Sequence, residues 1–186
     1  MSSIGVVDRP GGDSPMIHAL RRAVAFICRH WLWLANASLV VFAALPLLAP
    51  IFAVLGADGL SVLIFQVYSI TCHQMPSRSY FLFGHQMAYC ERNTAIYGAM
   101  AVGGLAYVWL RRRQLNSLPI SWYMVLILPM AIDGLTQLFG LRESTWLLRG
   151  LTGALFGTAT IWLTFPRLQE SFGEIEGELS ALESGA

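Results

Sequence analysis

Lysine is absent from the 186 residues, and charge of any kind is scarce: Asp, Glu, Lys and Arg make up 12% of the chain, against roughly 25% in an average soluble domain. All 12 basic residues are therefore Arg, the net charge is +1, and no basic stripe suits a nucleic acid. Cysteine is rare too. Cys28, Cys72 and Cys90 are too few for a disulfide scaffold, and an odd count leaves at least one thiol unpaired within the chain. Residues 1–20 lack a basic stretch followed by a compact apolar run and a small-residue cleavage site, so no cleaved signal peptide is expected.

What the chain does have is apolar residues, 55% of the total, in runs too long for one soluble core. A bilayer's hydrocarbon core is about 30 Å thick and takes about 20 apolar residues to cross as a helix. The uncharged run 31–55 has that length, with Pro46 and Pro50 set to kink its far half. Arg21, Arg22 and Arg29 before it, with Trp31 and Trp33 at headgroup depth, mark a cytoplasmic entrance. Residues 60–70 reach only about half-way and read as a half-span or interfacial helix. A polar segment, 71–93, follows, with a small hairpin expected around Gly84-His85. Residues 94–110 form a second full span stopped by Arg111, Arg112 and Arg113. Residues 119–140 form a third, interrupted by Asp133, and 146–165 a fourth, with Arg149 near its start.

The expected fold is thus an all-α integral membrane protein with four full transmembrane helices and one half-span or interfacial helix before the polar hairpin. Its parts are a cytoplasmic N-terminal segment 1–30, one helical membrane domain 31–165, and an acidic, exposed, cytoplasmic tail 166–186. With four spans, Arg9, Arg21, Arg22, Arg29, the Arg111–Arg113 cluster and Arg167 fall inside, and Arg78, Arg92, Arg142 and Arg149 outside. Five spans would move the compact cluster outside, which disfavours that count. Under either count, two full spans separate segment 71–93 from the loop at 141–148, so the two share a membrane face. The expected location is the cell (inner) membrane, with the lipid bilayer as partner, other membrane subunits as further candidates and no nucleic acid.

Three constellations carry chemistry. The first is CHQMPSRS from Cys72 and YCERN from Tyr89. Thiolate and imidazole are favoured ligands of zinc and other transition metals, which makes Cys72, His73, His85 and Cys90 a candidate metal set. A Cys72–Cys90 disulfide is the competing reading, and plain packing of small buried thiols the third. The second is Asp133 with Gly134 and Gln137: a carboxylate inside a span needs a partner, and Arg78, Arg92, Arg142 and Arg149 are the candidates. The third is 140–157, where Gly150, Gly153 and Gly157 suit close helix approach, while Arg142 and Arg149 around Ser144 and Thr145 suggest a cradle for phosphate or carboxylate.

These residues together resemble a prokaryotic family of predicted membrane proteins named only as a domain of unknown function. The resemblance rests on Cys72-His73-Gln74 with Pro76, Arg78 and Ser79, and on Cys90-x-Arg92 followed by Thr94, Ile96 and Tyr97. It continues through Asp133-Gly134-x-Thr136-Gln137, Arg142-x-Ser144 and Arg149-x-x-Thr152-Gly153. It covers about 60–157. The family pattern reads Cys-x-Arg-Cys-Thr-Gly, where this chain has Asn93 and Ala95 in place of the second Cys and the Gly. That removes a C-x-x-C pair. The family name implies a membrane location and no reaction.

The candidate site is therefore Cys72, His73, Arg78, Cys90, Arg92, Asp133, Gln137, Arg142 and Arg149 on one membrane face. An enzyme using thiol, metal or quinone chemistry and an accessory subunit of a larger membrane complex are the two further readings. Four spans without an internal repeat do not suit a stand-alone secondary transporter.

Overall fold

The computed structural model describes residues 15–113 and 115–184. Arg9, in the topology count above, lies outside them. The described chain is mostly helical: α1 (Pro15–Val54), α2 (Asp58–Tyr68), β1 (Ser79–Leu82), β2 (His85–Cys90), α3 (Glu91–Leu110), α4 (Ile120–Leu138) and α5 (Trp146–Ser184). Two of these helices, α1 and α4, are long and apolar enough by composition to cross a bilayer, with mean hydropathy of 2.4 and 1.2 over their most apolar windows. Four were expected. The shortfall has a physical cause: α3 begins with Glu91 and Arg92 and is rich in Gly and Tyr, and α5 carries Arg149 in its first turn and Gly and Thr thereafter.

The chain divides into two compact units. One joins the end segments, up to Trp31 and from Ser171, where Trp31 packs on Phe172 with ring centroids 5.5 Å apart and Arg29 Nε meets Glu176 Oε1 at 3.5 Å. Cys28 is buried there, away from any pairing. The other, Leu32–Glu170, holds every remaining feature described below. The helical ends are longer than the sequence suggests. Residues from Pro15 to His30 continue α1, and the acidic tail continues α5 through Pro166 to Ser184 rather than leaving the helix.

Prolines decide how the second unit is fastened. A proline has no N–H, so the carbonyl four residues earlier loses its helical donor. Pro46 frees Phe42 O, and the Tyr68 hydroxyl from the end of α2 donates to it at 3.0 Å. Tyr68, Tyr89, Tyr97 and Phe42 then pack ring to ring, with centroids 4.7 to 6.1 Å apart, around buried Ala49, Ile64, Cys72 and Ala88. Pro166 frees Trp162 O in the same way, and Leu118 N donates to it at 3.2 Å. This capture lets α5 run through a proline that the sequence marks as a stop.

The expected hairpin is present. Antiparallel β1 and β2 pair Leu82 with His85, so the turn is the two residues Phe83-Gly84, at φ +55° and +81°. Positive φ at both central positions is the turn that suits the twist of a tight hairpin, and glycine takes the second without strain. Small residues set α3 against α5: a Cβ on Gly153 would stand 2.8 Å from Arg92 O, and one on Gly157 2.4 Å from Ile96 O. Gly150 has open space instead, so it takes no part in that seam.

Candidate functional site

The start of α3, the end of α4 and the start of α5 meet in a network of charge. Asp133, 1% exposed, accepts from Arg92 Nη2, from Arg142 Nη2 at 2.6 Å and from Ser144 Oγ at 2.9 Å. A carboxylate buried so fully in an apolar helix persists only with compensation of this kind. Arg149, 8% exposed, donates to Glu91 Oε2 at 2.8 Å and to Ser144 O at 2.5 Å. Thr145 caps α5 by accepting from Leu148 N at 3.3 Å. Arg142 and Arg149 are thereby engaged with carboxylates and a carbonyl rather than standing free around Ser144 and Thr145.

Beside this network the two cysteines converge. Cys90 stands at the N-cap of α3, and its backbone N–H donates to Cys72 Sγ at 3.2 Å. The Cys72 thiol is drawn down to about 6. The Cys90 thiol hydrogen-bonded to it is the largest cause; the N–H groups of Gln74 and Cys90 and the nearby His73 add to it, and burial opposes them. Cys90 moves the opposite way, held up by sharing its proton with Cys72 and by burial. Cys72 itself is buried, so the N–H groups and the second thiol, rather than solvent, surround its sulfur. Gln74 fixes the loop between the two thiols. It sits at φ +50°, donates from Nε2 to Phe65 O at 2.8 Å and to Ala88 O at 3.1 Å, and accepts from Gln86 on its own carbonyl at 2.6 Å.

The two groups border one cavity of about 520 Å³. Its wall contains Cys72, His73, Arg78, Cys90, Arg92, Gln137 and Arg149, seven of the nine residues expected from sequence. Asp133 and Arg142 are the other two, and Asp133 holds Arg92 in place from behind. Thr71, Asn93 and Gly134 complete the polar rim, with Asn93 Nδ2 donating to Thr71 O at 2.9 Å.

The comparisons with known proteins fall on this same region. The model of the family described as "Predicted membrane protein (DUF2085)" matches residues 72–163. An uncharacterized protein of Methanocaldococcus jannaschii is 41% identical over 135 residues, covering 69% of this chain and 86% of the relative. The chain belongs to this family. An uncharacterized protein of Methanothermobacter thermautotrophicus is 36% identical over 94 residues, 50% of this chain and 83% of its own length. No solved structure matches. The family match begins at Cys72 and ends within α5 at Leu163, so it takes in every charged residue of the network, while α1 and α2 lie before it.

The metal set drawn from sequence does not assemble. Among the described residues no three His, Cys, Asp or Glu side chains come together to hold an ion. The reason is the hairpin: His85 opens β2 next to the Phe83-Gly84 turn, five residues along the strand from Cys90, roughly 17 Å at the strand rise. Sequence reasoning also missed residues. Glu91 looked like a charge of the polar segment, yet it is the partner of Arg149; Gln74, quoted only as part of a motif, holds the loop between the cysteines, and Ser144, read as part of an anion cradle, donates to Asp133 instead. The signal for Glu91 was its place in the first turn of an apolar helix, where a carboxylate favours the N-terminus.

Proposed function

We propose that this membrane protein carries out thiol–disulfide exchange at one face of the bilayer, with Cys72 as the attacking thiolate and Cys90 as the resolving thiol. The observation that carries the reading is the Cys72–Cys90 contact at the start of α3, on the wall of a cavity large enough for a small substrate. Asn93 stands where a C-x-x-C partner would be, so the pair is built from two segments of chain instead of one turn. In the forward step Cys72 Sγ attacks one sulfur of a substrate disulfide; the S–S bond breaks and the other sulfur leaves as a thiolate. Cys90 then gives its proton to that thiolate and attacks Cys72 Sγ, and the second substrate sulfur is released. The protein is left oxidised as the Cys72–Cys90 disulfide and the substrate reduced by two electrons. A dithiol of lower potential reverses both steps.

The membrane setting of this reading is four spans, α1, α3, α4 and the α5 section between Trp146 and Pro166. Their outer faces support it: Val102, Trp109, Val125, Leu147 and Leu151 are each more than half exposed, a surface suited to lipid. α3 has 20 residues, about 30 Å at the helical rise. In this arrangement the site lies opposite Arg111–Arg113 and the termini are cytoplasmic.

The test is a redox titration of the purified protein in mild detergent, trapped by alkylation and read by mass spectrometry without reduction. The proposal expects a reversible Cys72–Cys90 disulfide with a midpoint between about −120 and −270 mV, the range of catalytic pairs. Full alkylation of both thiols at the oxidising limit would overturn it. So would a bond still intact below about −300 mV, which is the behaviour of a structural disulfide.

A further inference from the structure

Three of the residues that line the cavity carry hydrogen-bond donors that the protein itself does not satisfy. Arg92 Nε, Arg149 Nε and Gln137 Nε2 are buried and lack a partner. Arg78, half-buried on the same wall, has no ion-pair partner among the described residues. No Asp or Glu is among the residues lining the cavity; Asp133 and Glu91, which pair with Arg92 and Arg149, lie outside that lining. Arginine forks gathered on a wall with no carboxylate of its own, beside an amide N–H without an acceptor, make a site for an oxygen-rich anion. Elsewhere on the wall Asn93 Nδ2 donates to Thr71 O and Gln74 Nε2 to Phe65 O and Ala88 O, while His73 is exposed.

We propose that this cavity binds a phosphate group, held by Arg78, Arg92, Arg149 and Gln137 beside Cys72. A phosphate monoester offers three peripheral oxygens with several lone pairs each, enough for donors on α3, α4, α5 and the loop before β1 at once. A carboxylate, with two oxygens, leaves part of the set unmet. The cavity of about 520 Å³ exceeds a lone phosphate, so the group arrives on a larger body, either a soluble phosphate ester or an anionic lipid headgroup. The inference does not need the thiols to exchange with anything. It needs only that the anion and Cys72 share the cavity.

The experiment follows iodoacetamide alkylation of Cys72 and the thermal unfolding midpoint of the full chain in neutral detergent. The probes are inorganic phosphate, dioctanoyl phosphatidic acid and, at matched ionic strength, sodium chloride. Phosphate is expected to slow alkylation and raise the midpoint where chloride does neither. Arg78→Gln should weaken phosphate protection about tenfold or more, the loss of one charge-assisted contact, and Arg78→Lys should restore most of it. Stronger protection by the lipid than by inorganic phosphate identifies a headgroup as the source; equal or weaker protection identifies a soluble ester. Phosphate must also raise the midpoint of Cys90→Ser, which cannot form the disulfide, so failure of the exchange reading leaves this result intact. The proposal is overturned if neither phosphate nor phosphatidic acid protects wild type beyond chloride, or if Arg78→Gln is protected as well as wild type.

Discussion

The two ends of α5's apolar section are fastened by opposite means. At one end Arg149, Glu91, Arg92, Asp133, Arg142 and Ser144 form a buried, charged network. About 20 Å along the helix, the other end is held mainly by neutral hydrogen bonds: Leu118 N to Trp162 O at 3.2 Å, Ser117 Oγ to Leu163 O at 2.9 Å and Trp162 Nε1 to Asn116 O at 3.2 Å, with the exposed Arg167 adding a long contact of 3.5 Å to Leu118 O. The second end demonstrates that a loop can be pinned to this helix without burying charge. Buried ion pairs add little stability over well-packed apolar groups, yet removing one partner is costly. Fastening alone therefore does not call for the charges, and on our proposal they are there to hold Arg92 and Arg149 at the cavity wall.

The charged end should fail most visibly at Asp133. Asp133→Asn leaves Arg92 and Arg142 facing each other without their shared carboxylate, and we expect a loss of about 3–5 kcal/mol in detergent unfolding. Coupling in double mutants should be stronger with Arg92→Gln than with Arg142→Gln, because the Arg92 side chain is 22% exposed and that of Arg142 43%. A thermally neutral Asp133→Asn would mean that the carboxylate is hydrated and the network does not bear on the fold. Next in size is Gly153→Ala, whose new Cβ would strike Arg92 O at 2.8 Å. It should cost about 1–3 kcal/mol through overpacking. Gly150→Ala, with open space around it, should be neutral or gain up to about 1 kcal/mol of helix propensity. Equal effects at the two glycines would dissolve the α3–α5 seam.

The smallest effect belongs to the neutral end. Ser117→Ala removes one hydrogen bond to Leu163 O and should lower stability by about 1 kcal/mol. A loss as large as that of Asp133→Asn would erase the contrast between the ends.

The sequence made the charged end legible and the neutral end obscure, for one reason. A charge beside or inside an apolar run is costly enough to need an explanation, so Asp133 could be singled out and its pairing with Arg92 and Arg142 foreseen, while the Arg149–Glu91 pair was not. Backbone carbonyls freed by proline leave no such mark. Pro166 read as the end of a helix, because nothing in the sequence says that Leu118 will supply the missing donor. The hairpin was visible in Gly84, but its two-residue turn, which sends His85 away from the cysteines, depended on Phe83 accepting positive φ, and that dissolved the metal set. The spans split the same way. Apolar runs were plain at α1 and α4, whereas α3 and α5 trade hydropathy for the small residues and end charges that bring them together.

On our proposal Cys72 is a reactive thiolate made so by its contact with Cys90, and the pH dependence of its alkylation by iodoacetamide is the sharpest check. With the thiol drawn down to about 6, the thiolate is present above that pH and lost as pH falls through it. The rate should be half-maximal near pH 6 and level above about 7, with Cys90→Ala moving the midpoint upward, toward the ordinary thiol value of about 8.5. A wild-type rate that keeps climbing through pH 8.5, unchanged by Cys90→Ala, would contradict it.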